Sequence, residues 1–208
     1  MKLQIALDEF NIEEAISIVR EAQEHIDIIE AGTPFIINYG LEAVRTLRRE
    51  FPQKEILADI KIVDGGHMEA AAAFEAGADY CTVLGLADNS TIKEVVKAGR
   101  EYQKKVVVDL ICVEDLEKRC VEVEALGIDM LAVHTAVDQQ ARGRTPLGDL
   151  KRIVAMGGNV PVEVAGGINA QTVSEYAALG PSVVVVGGGI AHVADKEKAA
   201  REIKAQLS

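Results

Sequence analysis

One alternation runs the length of the chain: a short aliphatic, β-branched run, a polar loop, then an amphipathic stretch with apolar positions three and four apart. The strand-like runs cover 3–7, 26–30, 55–60, 80–84, 105–111, 130–134, 160–165 and 183–186. Between them, Ile12, Ala15, Ile16 and Val19 fall on one helix face, as do Leu41, Val44 and Leu47. Leu116, Cys120, Val123 and Leu126 repeat the spacing, and Ala199, Ala200, Ile203 and Leu207 close the chain with it. Eight strand signals alternating with eight helical ones predict a parallel α/β architecture. A doubly wound sheet needs fewer strands and usually opens with a Gly-rich turn after the first. Here the first run ends in Ala6-Leu7-Asp8-Glu9 without glycine, and the glycines gather after runs seven and eight. The expected fold is therefore a (β/α)8 TIM barrel, a single domain over residues 1–208 with no linker or composition shift inside it.

Composition sharpens this picture. Half the residues are apolar but only 4% are aromatic and Trp is absent, so the core must be built from Ile, Val, Leu and Ala. A formal charge of −11 argues against nucleic acid or an anionic membrane as partner. Any anionic ligand must then be held by local groups against the overall field. Cys81 falls in a strand-like run, Cys112 at the end of another and Cys120 in a helix-like one, without CxxC spacing, which suggests buried thiols in a reducing cytosol. The start, Met1 to Asp8, is too polar for a signal peptide, and no apolar run is long enough to span a membrane. A cytoplasmic protein is expected.

Barrel enzymes work at the C-terminal ends of their strands. In order, those ends carry Asp8, Glu30, Asp59 with Lys61, Gly85, Asp109, His134, Gly166-Gly167 and Gly187-Gly188-Gly189. Five of eight runs deliver an ionisable group to one rim, a poor fit to random placement because charged groups are rarely buried unpaired. Strand alternation sends Asp59 and Lys61 to the same face, where they form either a structural ion pair or a functional couple. Glu30 and Asp59 end neighbouring strands, and two close carboxylates repel unless a cation or proton intervenes. Mg2+ held by these two, waters and substrate oxygens suits the pair; neutralisation by Lys61 alone is the plainer alternative.

His134 ends the sixth run, where its proton affinity suits acid–base work, whereas His25, His67 and His192 look like surface or helix-terminus residues. Gly166, Gly167, Gly188 and Gly189 follow runs seven and eight, the usual phosphate position of this fold, and leave backbone N–H groups open to an anion. Arg142-Gly143-Arg144 reads as a solvated loop. Glu163 turns inward below the rim, and Gln4, on the same interior phase, is its expected hydrogen-bond partner.

Ala6-Leu7-Asp8, Glu30, Asp59-Ile60-Lys61-Ile62-Val63-Asp64 and the two Gly runs resemble the orotidine 5′-monophosphate decarboxylase suprafamily over essentially the whole chain. Asp109 to Val113, Leu131 to Thr135 and Asp138-Gln139-Gln140 are similar to its formaldehyde-fixing hexulose-phosphate synthase branch. The resemblance implies a homodimer in which Asp64 reaches the partner's site, Mg2+, and an enediolate intermediate. It implies an aldol condensation of formaldehyde with D-ribulose 5-phosphate, giving D-arabino-hex-3-ulose 6-phosphate. In that scheme Glu30 and Asp59 hold the metal, and Asp8 and Asp109 bind substrate hydroxyls. His134 is the base, Lys61 supplies positive charge, and Asp64 orients Lys61 across the dimer. Gly166, Gly167, Gly188 and Gly189 take the phosphate.

The orotidine decarboxylases carry Lys where Glu30 stands, which argues against a nucleotide substrate. The related 3-keto-L-gulonate-6-phosphate decarboxylases carry Arg at the positions of Val137 and Gly189, and theirs is the nearest alternative activity. A non-catalytic sugar-phosphate-binding barrel is an alternative of another class, but it would not need the full acidic ring.

Overall fold

The computed structural model describes residues 1–207. Eight strands form a closed parallel barrel: β1 (Lys2–Leu7), β2 (Ile28–Ala31), β3 (Glu55–Ile62), β4 (Tyr80–Leu84), β5 (Lys105–Asp109), β6 (Met130–His134), β7 (Val162–Ala165) and β8 (Val183–Val186). Each pairs with the next, and β8 returns to β1 with Gln4 opposite Val185. The helices are α1 (Ile12–Ala22), α2 (Thr33–Tyr39), α3 (Glu42–Glu50), α4 (Gly66–Glu75), α5 (Asn89–Tyr102), α6 (Leu116–Glu124), α7 (Val137–Gln140), α8 (Leu147–Ala155), α9 (Val173–Ala177), α10 (Gly188–Ala191) and α11 (Lys196–Ala205). Three of them, α2, α7 and α10, are short additions at the C-terminal rim beyond the eight expected.

Local chemistry fixes the ends of these elements. Asn11 and Glu14 form a reciprocal cap at the start of α1, each side chain accepting the other's backbone N–H at 2.9 and 3.0 Å. Asp88, Asp115 and Asp195 cap α5, α6 and α11. At the opposite face, Asp27, Asp79 and Asp129 stand just before β2, β4 and β6. Their carboxylates accept the N–H groups of Leu3, Ile56 and Val106 at 2.7, 2.9 and 3.0 Å. This repeated clamp ties neighbouring strands together on the side of the barrel away from the chemistry.

Aliphatic side chains fill two volumes. One lies between sheet and helices; the other, inside the barrel, is built from Ile28, Leu57, Tyr80, Val107, Met130, Ala132, Val183 and Val185. The all-valine β8 is buried on both faces, as a parallel sheet covered by helices requires. This apolar packing fills the barrel interior, with Gln4 and Glu163 as buried polar members beside it.

Four strands differ from the sequence pattern. The 26–30 run is a strand only from Ile28, because Gln23–His25 form a 3-10 turn just before it. The 160–165 run starts at Val162, after Pro161, which has no N–H to donate. The 105–111 run ends at Asp109, and Cys112 takes a left-handed φ of +60° in the turn beyond. Cys112 is therefore exposed, whereas Cys81 and Cys120 are buried as expected. The 55–60 run continues to Ile62 through a register shift between Ala58 and Ile62. No helix among the described residues is long and apolar enough to cross a membrane.

Candidate active site

The strand ends enclose a cleft of about 660 Å3, and Asp8, Glu30, Asp59, Lys61, Asp109, His134, Gly166, Gly167, Gly188 and Gly189 all line it. β3 delivers the central pair. Asp59 is buried, and its Oδ1 accepts from Lys61 Nζ at 3.0 Å and from the Thr82 hydroxyl at 2.8 Å. Its Oδ2 lies 2.8 Å from both Lys61 Nζ and the Thr33 hydroxyl. Lys61 reaches this position from a left-handed backbone, φ +46°, held by its N–H donating to Thr82 Oγ1 at 2.9 Å. Such a conformation costs about 1–3 kcal/mol in a non-glycine residue and persists only where the surroundings enforce it. Simple alternation anticipated the shared face of Asp59 and Lys61 but not this bend.

Lys61 Nζ also donates to Asp109 Oδ2 at 2.9 Å, and His134 Nδ1 lies 3.1 Å from that same oxygen. Asp109 Oδ1 accepts the Ile111 N–H at 2.9 Å. Burial raises the Asp109 carboxyl, but the hydrogen bond and charge of His134 and the charge of Lys61 outweigh it, bringing it down to about 2. Burial likewise opposes the Lys61 ammonium, and the two carboxylates override it, holding Lys61 above its ordinary value. With Asp109 ionised, His134 Nδ1 must be the donor in their contact, which leaves Nε2 as the ring's basic atom.

Glu30 is the unbalanced member. Burial, then the charges of Asp59, Asp8 and Glu163, push its carboxyl well above the usual range. Asp8 is raised by burial and by Asp59. Gln4 Nε2 donates to Glu30 Oε2 at 2.6 Å; among the described residues no side chain or backbone donor reaches Oε1. This overturns the expected Gln4–Glu163 bond: the Gln4 amide is drawn to Glu30. Gln4 Oε1 and Glu163 Oε2 are both left buried without a partner. Burial, then Asp109 and Asp59, push Glu163 up to about 8.

No group of three or more His, Cys, Asp or Glu among the described residues forms a ready-made metal cage. The donor set that does exist, Glu30 beside Asp59, fits an ion that uses one or two carboxylates and fills its remaining positions with water and substrate oxygens.

The turns after β7 and β8 press closely together. Gly166 and Gly167 have φ of +121° and +71°, and a β-carbon on Gly166 would lie 2.8 Å from the Thr135 carbonyl oxygen. Gln140 straps this turn by donating to that carbonyl at 2.8 Å. A β-carbon on Gly189 would lie 2.7 Å from the Ile168 carbonyl oxygen. Side chains are excluded, and the backbone itself forms the cleft wall.

His192 is exposed at the C-terminal cap of α10, as expected, and it also lines the cleft beside Gly188. Asp64 is exposed outside its own chain's cleft and accepts the Gly65 N–H at 2.8 Å. His67 and His25 are peripheral as expected, facing Glu101 and Glu197. Arg144 is exposed and pairs with Asp149. Thr33 and Thr82 were missed. Thr82 carried a signal, since alternation back from Leu84 turns it inward; Thr33, at the start of a short helix, carried none.

A closed (β/α)8 barrel whose rim sets a lysine and a histidine among buried carboxylates, in a cleft also walled by glycine backbone, defines a barrel enzyme of the phosphorylated-substrate kind. A family model described as "Orotidine 5'-phosphate decarboxylase / HUMPS family" matches residues 1–203, and the chain belongs to that family. It is 46% identical over 204 residues to the 3-hexulose-6-phosphate synthase of Bacillus subtilis (strain 168), covering 98% of this chain and 97% of the relative. The crystal structure of 3-hexulose-6-phosphate synthase from Salmonella typhimurium superposes with a TM-score of 0.98 at 50% identity, covering 100% and 98% of the two chains. The 3-keto-L-gulonate-6-phosphate decarboxylase of Vibrio cholerae is more distant, at 26% identity and a TM-score of 0.87 over 99% and 96%.

Proposed function

We propose that this chain is a hexulose-phosphate synthase, joining formaldehyde to D-ribulose 5-phosphate to give D-arabino-hex-3-ulose 6-phosphate. The observation that carries the chemistry is the shared Asp109 oxygen. An ionised carboxylate fixes His134 through Nδ1 and leaves Nε2 as base, while Lys61 keeps a positive charge beside it. The sugar phosphate binds with its phosphate on the N–H groups of Gly166, Gly167, Gly188 and Gly189, and Asp8 and Asp109 take its hydroxyls. Glu30 and Asp59 would hold Mg2+, which when bound supplies positive charge opposite the oxygens that become negative during enolisation.

His134 Nε2 removes a C1 proton, and the electron pair moves into C1–C2 as the C2 carbonyl becomes an enediolate oxygen. C1 then attacks the formaldehyde carbon. The C–O π pair becomes an alkoxide, which takes the proton back from His134, and the C2 carbonyl re-forms. Lys61 stays an ammonium throughout because Asp59 and Asp109 hold its proton.

The functional unit is a homodimer in which Asp64 reaches Lys61 of the other subunit's site. Val63 and Met68, exposed within four residues of Asp64 along the chain, support this, since large apolar side chains gathered in water suit a partner surface. Three unpaired cysteines, two of them buried, suit a reducing cytoplasm.

The test is proton exchange. With Mg2+ and ribulose 5-phosphate in D2O and no formaldehyde, deuterium should enter C1; with formaldehyde, hexulose phosphate should form. No exchange and no condensation would overturn the reading.

A further inference from the structure

At the phosphate end of the cleft the backbone glycines have one neighbour that their own chemistry does not explain. His192 follows α10, and its Nδ1 lies 3.1 Å from where a β-carbon on Gly188 would stand, so the imidazole occupies the space beside the glycine wall. Phe10, from the loop after β1, meets the ring edge-on, with centroids 5.4 Å apart and planes at 61°. The ring thus bridges the first and last loops of the barrel while still lining the cleft.

The charge balance gives this placement a consequence. Lys61 is the one lysine or arginine lining the cleft among the described residues, and both of its short contacts are to carboxylates. Asp8, Glu30, Asp59, Asp109 and Glu163 face the same space. A phosphate dianion entering here meets a negative field, and backbone N–H groups carry only partial charge. His192 is the remaining ionisable nitrogen at that end. Its ring can donate a hydrogen bond in either charge state, and as imidazolium it also neutralises charge.

We propose that His192 is a phosphate-binding residue of this site, closing over the terminal phosphate held by Gly188 and Gly189. The assignment rests on reading the cleft as a sugar-phosphate site, and it goes further by naming the side chain that offsets the acidic rim. Phe10 is the positioning residue that keeps the ring beside Gly188. Because His192 is exposed and screened by salt, the expected contribution is about five- to tenfold in affinity rather than the hundredfold of a buried charge-assisted bond.

Two probes test it, inorganic phosphate and D-ribulose 5-phosphate, titrated calorimetrically into the full-length protein. His192→Ala should weaken both about five- to tenfold, and His192→Lys should restore most of the loss because it returns a cation. The carbon-bound ring proton of His192 should shift in NMR spectra when inorganic phosphate is added. Phe10→Ala should give a smaller loss in the same direction. Unchanged affinity in His192→Ala, or an equal loss in His192→Lys, would overturn the assignment, as would a ring signal that ignores phosphate. Sugar-phosphate binding that depends on His192, in a protein that forms no hexulose phosphate, would instead remove the synthase reading and leave the assignment standing.

Discussion

Lys61 and His134 meet on a single oxygen, Asp109 Oδ2, at 2.9 and 3.1 Å. One ionised carboxylate therefore holds the ammonium and the imidazole together, and sets which imidazole nitrogen is free. Asp109→Asn keeps the shape but presents either a neutral oxygen or an NH2 group to two donors. Both kcat/KM and deuterium entry at C1 should fall together by about 100-fold or more, the usual scale of a general base. His134→Gln should match it. An Asp109→Asn enzyme within twofold of the parent would detach this carboxylate from the chemistry.

The proposed Mg2+ site at Glu30 and Asp59 predicts metal dependence. Excess chelator should abolish turnover, and Glu30→Gln should weaken divalent-ion binding by roughly 10- to 100-fold, because it removes a full ligand charge. Mn2+ binding followed by electron paramagnetic resonance on the sugar-free protein reads this without relying on activity. Full activity in excess chelator would remove the metal from the mechanism.

The barrel was legible in the sequence because both of its periods are strong: buried parallel strands read as aliphatic runs, and their helices as spaced stripes. Strand ends then placed Asp8, Glu30, Asp59, Lys61, Asp109 and His134, all of which the structure brings to one cleft. What failed was contact between side chains on different strands. Gln4 had two interior carboxylates within reach, and interior phase alone favoured Glu163 over Glu30. His192 was read as a surface or helix-terminus residue, which it is; no periodicity in that short stretch shows that its ring also borders the cleft.

Glu163 gives a pH signature. Its carboxyl titrates near 8 in the folded protein against about 4.5 unfolded, because burial and neighbouring carboxylates disfavour the charge. A raised acid costs stability progressively as pH climbs from the unfolded value to the folded one, then no further. Glu163→Gln should therefore melt increasingly higher than the parent between about pH 4.5 and 8, with a constant gap above that, on the order of a few kcal/mol. A gap that does not change with pH would contradict a neutral Glu163.

Asp64 tests the shared site. Asp64→Asn and Lys61→Ala subunits should each be inactive alone. Mixed, they should recover up to about a quarter of parental activity, because random pairing makes half the dimers hybrid and each hybrid carries one intact site. A fully active monomer in sedimentation at micromolar concentration would rule out the arrangement.

The most direct measurement compares two substrates on one preparation. Val137, 73% exposed and lining the cleft, offers no charge at the position where the gulonate-phosphate decarboxylases are expected to carry arginine. Losing one charge-assisted hydrogen bond costs about 1.5–3 kcal/mol, or roughly ten- to a hundredfold in rate. With 13C-formaldehyde and ribulose 5-phosphate, NMR should show the label as a new C1 hydroxymethyl group bonded to C2 of a hexulose phosphate. The kcat/KM for this reaction should exceed that for decarboxylation of 3-keto-L-gulonate 6-phosphate by at least about tenfold, and Val137→Arg should narrow the gap. Equal or faster decarboxylation by the unmodified protein, or no labelled carbon–carbon bond, would contradict the assignment.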